Sequence, residues 1–365
     1  MKVGIIAGSL PPQVCGVGDF TGALISAFRG RGIEVAVIHR DPWRISDIPG
    51  VLRELGRARP DVVHMQYPTH GFRRSLTPHM LHLCLTRRLR VTTLHDYNGQ
   101  RWPVRTAMSV FACGGEVVMD AAPDRVAFVM RHPWMLSHMT RIPIGSNMPG
   151  GRWEPVGPFT VVHFGMLRPE KGLEEFIELA RLSREADRPW RFLIVGAVVP
   201  HARNYAERLF HLAEGTGIEW RTGLGSNDVS ETLRHAHAAF LAPTGGLHER
   251  RGTLLACAAN GLPVIGKTDW ATPEFLKDYV IAAGSPADAL CALDLLSSSA
   301  EHLAAQSKRS VELDKMFSWD AIIDAYVALF EDRLGGRRNA SRRGPTEPTG
   351  RQGQRTAAVG SDPCV

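Results

Sequence analysis

The sequence lacks the patterns that mark membrane-spanning and secreted proteins. No apolar run in its 365 residues reaches the roughly 18 to 20 residues that span a bilayer. Glycine and proline interrupt the N-terminal segment MKVGIIAGSLPP before the apolar core of a signal peptide develops, so we interpret this segment as a first β-strand. We therefore predict a cytoplasmic protein without a transmembrane segment, for which peripheral contact with a membrane stays open.

The sequence also lacks paired cysteines. Its six cysteines are far apart and form no C-x-x-C pair; they are Cys15, Cys84, Cys113, Cys257, Cys291 and Cys364. This scatter argues against a disulfide framework and against a zinc site, and it fits a reducing compartment. The sequence thus predicts no metal site and no bound cofactor.

The part of the chain that we expect to fold, residues 1–334, carries little net charge. The net charge is +6, and the tail after Leu334, with six arginines and two acidic residues, supplies +4 of it. This distribution argues against nucleic-acid binding. The tail, residues 335–365, is rich in Gly, Pro, Ser and Thr without apolar periodicity, so we predict that it is disordered. The composition, 44% apolar and 22% charged, is typical of a soluble globular enzyme.

Short apolar runs alternate with longer amphipathic segments along the chain. The strand candidates are KVGIIA, EVAVIH, DVVHMQY, RVTTLHD and EVVMDA in the first half, and FTVVHFG, RFLIVGA, IEWRTG and AAFLAP in the second. Apolar strands separated by helices predict parallel sheets covered on both faces, and the Pro- and Gly-rich segment IPIGSNMPGGRWEPVGP predicts a linker. We therefore predict an α/β fold with two Rossmann-like, doubly wound domains, residues 1–150 and 151–317, facing a central cleft.

Ligands of such sheets bind beyond the carboxyl ends of the strands. In the first domain, Gly16 and Gly18 follow the first strand and His95 follows a later one. Glycine lets a backbone approach a ligand closely, and a helix start favours an anion, although a plain tight turn explains the two glycines equally well. His95 is either a ligand-contacting or a structural histidine.

In the second domain, Arg168 and Lys171 lie between a strand and a helix, in FGMLRPEKGLEEF. Two cations there suit a diphosphate, because Arg can donate to two oxygens while Lys acts as a movable point charge. The alternative is a solvated basic loop. Such a loop would place positive charge at the positive end of a helix dipole, which is unfavourable without an anion.

The segment HERRGTLLACAANG predicts a second anion-binding feature. Its helix should begin at Gly252, Thr253 and Leu254, whose backbone N–H groups can hold phosphate oxygens, with Thr253 and either Arg250 or Arg251 as further donors; we favour Arg251. Glu249 precedes this helix and would repel phosphate, so we expect it to face a neutral group that carries hydroxyls, such as a sugar.

These motifs together resemble one enzyme family. GMLRPEKG, HERRGTLLACAANGLPVI, GVGDF, the HD after a strand and IPIGSNMP are similar to motifs of retaining GT-B glycosyltransferases of the glycogen-synthase-like and mannosyltransferase-like group (family 4 type), over about residues 1–334. The resemblance implies that the first domain binds the acceptor and the second a nucleotide-sugar. It also implies that residues 318–334 form a closing helix, which in this family often crosses back to the first domain.

Carried over to this chain, the resemblance gives roles to individual residues. Arg168 and Lys171 match the pair that contacts the donor diphosphate, and Glu249 matches the first acid of a motif of Glu, seven residues, Glu. The second acid, which usually contacts the ribose, is replaced by Cys257. Met166 stands where many relatives have an arginine, and Arg168 is taken as its substitute. Glu249 and His95 would orient the sugar.

The implied reaction transfers a glycosyl group from a nucleoside diphosphate sugar to a hydroxyl of a glycan, lipid-linked or small-molecule acceptor, with retention of anomeric configuration. Fixed cations and helix N–H groups would stabilise the leaving diphosphate, and no D-x-D pair of carboxylates is present to hold a divalent ion. Two alternatives remain open. One is a sugar-nucleotide epimerase of the same architecture, and the other is a catalytically silent partner protein, for which Cys257 is the main argument.

Overall fold

Two parallel sheets of six strands each form the centre of the molecule. The computed structural model describes residues 1–13, 15–73, 75–199, 202–269 and 272–342. The strands of the first sheet are β1 (Lys2–Ala7), β2 (Glu34–His39), β3 (Val62–Tyr67), β4 (Leu89–Leu94), β5 (Glu116–Met119) and β6 (Met139–Arg141). Those of the second are β7 (Thr160–Phe164), β8 (Arg191–Gly196), β9 (Glu219–Thr222), β10 (Ala238–Leu241), β11 (Val264–Gly266) and β12 (Ile281–Ala282). The predicted α/β architecture with two doubly wound units is confirmed.

Helices connect the strands and cover both faces of each sheet. In the first half they are α1 (Gly16–Gly30), α2 (Ile48–Ala58), α3 (Thr77–Cys84), α4 (Trp102–Met108) and α5 (Ala122–Arg131). In the second half they are α6 (Leu173–Glu185), α7 (Arg203–Leu212), α8 (Ser226–His235), α9 (Gly252–Ala259), α10 (Pro286–Ser298), α11 (Ala300–Phe317) and α12 (Trp319–Arg342). Short 3-10 helices occupy Ile45–Asp47, His70–Phe72, Ser109–Ala112, Pro133–His138 and Glu274–Asp278. Among the described helices, none is both long and apolar enough to cross a membrane.

The order of the strands predicts where ligands bind. The first sheet runs β2-β1-β3-β4-β5-β6 and the second β12-β11-β10-β7-β8-β9. In the second sheet the direction of winding reverses between β7 and β10, which pair in parallel. The crevice beyond the carboxyl ends of two such strands is the usual ligand site of a doubly wound sheet. The loops that follow β7 and β10 are therefore the ones that position a site.

The last helix of the described residues, α12, covers part of the first sheet. On one of its faces, α1 and α12 share a core with the strands, in which Phe28, Tyr326 and Phe330 are fully buried. At the start of α12, the Trp319 Nε1 donates to the carbonyl of Ser146 at 2.8 Å. The chain that leaves the first domain is thus tied to the chain that returns to it.

The end of α12 requires a correction. The composition after Leu334 predicted disorder from residue 335, but the helix continues to Arg342. Gly335 and Gly336 do not end it, because a glycine in a helix costs only about 1 kcal/mol and the next proline is Pro345. The rest of the predicted tail, residues 343–365, lies outside the described residues.

Candidate active site

The loop after β7 carries Arg168 and Lys171 to the point where the winding of the second sheet reverses. Gly172 ends this loop with φ +78°, and a Cβ there would lie 2.2 Å from the carbonyl oxygen of Ala242. Glycine therefore lets the loop pack against the chain that follows β10. Arg168 is exposed and Lys171 is half-buried. Burial, together with the guanidiniums of Arg168 and Arg251, lowers the pKa of Lys171 to about 8.

The loop between β10 and α9 supplies a third cation. The guanidinium of Arg251, the residue before α9, donates to the carbonyl of Thr244 at 2.7 Å. Burial, followed by the charges of Arg168 and Arg250, lowers the pKa of Arg251. A Cβ on Gly165 would stand 3.3 Å from the Thr253 Cγ2, so the end of β7 lies against the first turn of α9.

These two loops form a cluster of positive charge beside a helix start, and we call Arg168, Lys171 and Arg251 the cationic cluster. Besides burial, the charges of Arg168 and Arg251 lower the pKa of Lys171, and the charge of Arg168 lowers that of Arg251, so repulsion within the cluster disfavours the charged forms of these two residues. The N–H groups of Gly252, Thr253 and Leu254 have no partner within the helix, and the side chain of Leu254 is buried, so it offers only its backbone. The arrangement can hold an anion with several oxygens.

His163 lies in β7 beneath this cluster and was missed by the sequence reasoning. It is 1% exposed, and its Nδ1 donates to the Phe240 carbonyl at 3.3 Å. Burial lowers the pKa of His163 to about 4, so the ring is neutral. Its Nε2 has no hydrogen-bond partner among the described residues. A Cβ added to Gly165 would lie 3.7 Å from this nitrogen, so Nε2 is close to the Gly165 backbone.

Glu249 points towards the first domain. The carboxylate is 4% exposed, and its oxygen lies 3.7 Å from the Arg141 guanidinium at the end of β6. The sequence predicted a neutral, hydroxyl-bearing neighbour for Glu249. Among the described protein groups its charged neighbour is Arg141 of the other domain, and the contact with a sugar stays a prediction.

Arg250 also joins the two domains. Its guanidinium lies 2.9 Å from the Asp96 carboxylate and 2.7 Å from that of Asp124. The Asp124 side chain is 1% exposed and also accepts hydrogen bonds from the amides of Tyr97 and Asn98. Of the two arginines in HERRGT, Arg250 is thus occupied by carboxylates, and Arg251 belongs to the cationic cluster.

The first domain contributes His95, which follows β4 and is 5% exposed. Its Nε2 contacts the Gln66 Oε1 at 2.8 Å, and its Nδ1 contacts the Asp120 Oδ2 at 3.3 Å. The ring also packs edge-on against Phe20 of α1. Both ring nitrogens therefore contact acceptor oxygens of the protein, so a neutral ring donates to one of them and a protonated ring to both.

The two glycines after β1 differ in their surroundings. A Cβ on Gly18 would lie 3.0 Å from the Ser9 Cβ, whereas nothing lies within 4 Å of a Cβ on Gly16. Gly18 thus allows α1 to pack closely on the turn after β1. Gly16, at the first position of α1, borders open space.

The comparisons with known proteins agree with this architecture. Residues 158–298 match the family model for glycosyl transferases group 1, while comparison with curated proteins gives no match. Among solved structures, HepE of Anabaena in complex with UDP and glucose has a TM-score of 0.64 at 14% identity, with 91% of this chain and 100% of that chain covered. A glycosyltransferase of Rickettsia africae has a TM-score of 0.66 at 12% identity, covering 91% of this chain and 98% of that chain. A UDP-forming α,α-trehalose-phosphate synthase of Burkholderia vietnamiensis has a TM-score of 0.61 at 13% identity, covering 80% of this chain and 78% of that chain.

The chain has the GT-B fold, and its residues 158–298 are similar to group 1 glycosyl transferases. In this GT-B protein, position 257 departs most clearly from the motif of Glu, seven residues, Glu. Cys257 is completely buried in the core of the second domain, and burial raises the pKa of its thiol to about 12. A neutral thiol in the core presents no charged group to a ligand. Met166, by contrast, is 41% exposed beside the cationic cluster.

Proposed function

We propose that this GT-B protein transfers a glycosyl group from a nucleoside diphosphate sugar to an acceptor hydroxyl, with retention of configuration and without a metal ion. The observation that carries the proposal is the cationic cluster of Arg168, Lys171 and Arg251 at the start of α9. Besides burial, Arg168 and Arg251 lower the pKa of Lys171, and Arg168 also lowers that of Arg251. A bound polyanion stabilises such a group of cations, and a diphosphate offers both the charge and several acceptor oxygens. HepE, which has the same fold, binds UDP and glucose, and this supports a nucleotide-sugar as donor.

The proposed step breaks the bond between the anomeric carbon and the diphosphate oxygen. The acceptor oxygen forms the new bond on the same face of the sugar, and its proton passes to the departing phosphate oxygen. Negative charge therefore grows on the diphosphate. Fixed guanidinium, ammonium and helix N–H groups stabilise it there, which is the role that a divalent ion has in other transferases.

Nucleotide binding and sugar release test the proposal. UDP, GDP and ADP are screened by thermal shift, and the corresponding sugar nucleotides are then incubated with the protein while free diphosphate is measured. We expect one diphosphate to raise the melting temperature and one of its sugars to be released. Lys171→Ala should reduce the release by on the order of 100-fold, whereas Lys277→Ala, an exposed lysine of the same domain paired with Glu274, should not. A protein stabilised by none of the diphosphates, or an equal effect of the two variants, would contradict the proposal.

A second candidate function is that of a catalytically silent GT-B partner protein. The ion pair between Glu249 and Arg141 and the burial of Cys257 favour it, because the first acid of the usual motif then has a cation as its neighbour and the second is replaced by a buried thiol. The same screen separates the two functions. Diphosphate binding without release of any sugar supports the silent protein.

A further inference from the structure

Asp120 is a buried carboxylate with one unused oxygen, at the end of β5. The residue is 3% exposed, and its Oδ2 contacts the Nδ1 of His95 at 3.3 Å. Its Oδ1 has no hydrogen-bond partner among the described residues. An unpaired carboxylate oxygen in a buried position is costly, since desolvation is not offset by a donor. Such an atom in a native fold is satisfied by an ordered water, an ion or a ligand.

The position of Asp120 in the fold favours a substrate as that ligand. It follows β5 directly, so it lies at the carboxyl edge of the first sheet, where doubly wound domains bind their ligands. His95 holds it from the neighbouring strand β4. The charge of Asp120 also acts on Arg250 and His248 of the second domain, so Asp120 lies near the residues that join the two domains.

The contacts around His95 show which oxygen of Asp120 is still able to accept a hydrogen bond. Gln66 Oε1 and Asp120 Oδ2 occupy the two ring nitrogens of His95, and Gln66 is itself held by His64 at 2.9 Å. These contacts hold the imidazole in place. Within Asp120 itself, Oδ1 has no partner among the described residues and can accept a hydrogen bond. A carboxylate oxygen repels phosphate and accepts from hydroxyls, so the chemistry matches a neutral polyhydroxy compound.

We propose that Asp120 contacts substrate in this GT-B protein: its Oδ1 accepts a hydrogen bond from a sugar hydroxyl, while His95 and Gln66 act as positioning residues that hold the carboxylate. The inference rests on the proposed function in that it names a further residue of the same cleft. It moves the sugar contact expected of His95 to its neighbour. The hydroxyl belongs either to the donor sugar or to the acceptor.

The test compares Asp120→Asn with Glu116→Gln. Glu116 lies on the same strand, is 5% exposed, and is paired with Arg333 and His138 at the other end of β5. With the sugar nucleotide found in the screen, we expect Asp120→Asn to lower kcat/KM by about 10- to 100-fold at unchanged affinity for the diphosphate alone. Glu116→Gln should leave kcat/KM unchanged. If the ratio of affinities for sugar nucleotide and diphosphate falls, the contact is to the donor; if only transfer falls while hydrolysis by water persists, it is to the acceptor.

Two further measurements separate contact from positioning and from failure of the proposed function. In a His95→Phe background, Asp120→Asn should still lower kcat/KM. If it causes no further loss there, Asp120 acts only by positioning His95, and the proposal is overturned. Saturation-transfer NMR with glucose, mannose and N-acetylglucosamine reads sugar contact without turnover. A signal in the wild-type protein that Asp120→Asn removes supports the contact even where no sugar nucleotide is turned over. Equal signals in both proteins, absent signals included, overturn it.

Discussion

Lys171 links local packing to ligand charge at the scale of a single residue. Because burial and two guanidiniums lower its pKa to about 8, it is largely protonated at neutral pH and loses its charge in mildly alkaline solution. A bound diphosphate restores the proton, since it favours the charged amine. Binding and protonation are therefore coupled at this residue.

This coupling predicts a pH dependence of diphosphate binding. Above pH 8 the free protein must take up a proton to bind, so the affinity should fall by up to about tenfold for each pH unit. Isothermal titration between pH 7 and pH 9.5, with the diphosphate that the screen identifies, measures this slope. Lys171→Arg keeps its charge over that range and should flatten it. An affinity that stays constant in the wild-type protein would contradict the assignment of Lys171.

Residue-level reasoning from the sequence reached some of these side chains and not others. Arg168, Lys171 and Arg251 were predictable as a group, because each lies between a strand and a helix, and that position is readable locally. The neighbours of Glu249 and Arg250 were not, since Arg141 and Asp124 lie more than 100 residues away along the chain. Only the packing of one domain against the other brings them together.

At the scale of elements, α12 has an unusual position, since it is the last described helix and yet part of the first domain's core. Phe330 is fully buried and lies 6.0 Å from the ring of Phe28 in α1. The sequence predicted β1 to β5 and β7 to β10 from strand candidates of six or seven residues. It missed β6, β11 and β12, because a strand of two or three residues carries too little periodicity to distinguish it from a loop.

The packing of α12 predicts a large loss of stability when a buried side chain near its centre is replaced by alanine. Phe330→Ala should lower the free energy of unfolding by about 3 to 5 kcal/mol, since a fully buried aromatic ring leaves a cavity. Urea denaturation followed by tryptophan fluorescence measures this loss. Leu334→Ala, at a half-buried position one turn later, provides the matched control and should cost much less. Similar losses at both positions would show that the helix is not seated as described.

The whole molecule should lose stability in acid through histidines that both domains bury. Burial lowers the pKa of His64 to about 3 and that of His82 and His163 to about 4. An unfolded histidine titrates near 6.5, so between these values the unfolded chain binds more protons than the folded one. Because the folded protein keeps these histidines neutral, protonation does not destabilise it above pH 6.5. As the pH falls towards 4, protonation favours the unfolded chain and the free energy of unfolding decreases.

We expect the free energy of unfolding to fall by about 1 to 3 kcal/mol for each of these histidines between pH 7 and pH 4. Urea denaturation at a series of pH values gives the slope. His82→Asn should reduce the slope, and His302→Asn, at an exposed position, should leave it unchanged. A stability that does not vary over this range would mean that these histidines do not remain buried and neutral.

The return of α12 to the first domain has a consequence for recombination between GT-B genes. The first domain is not a continuous stretch of sequence, since residues 319–342 supply part of the layer that covers its sheet. A hybrid in which residues 151–342 come from a homologue would pair the sheet of one parent with the covering helix of the other, across the contacts of Val3, Ile5 and Phe28. Compatible hybrids exchange only the segment between the linker and Ser318, and they inherit Asp96 and Asp124 from one parent and Arg250 from the other. Such hybrids need two crossover points, one in the linker and one at Ser318. Both are close to Trp319 in space, because Trp319 follows Ser318 and donates to the carbonyl of Ser146 in the linker.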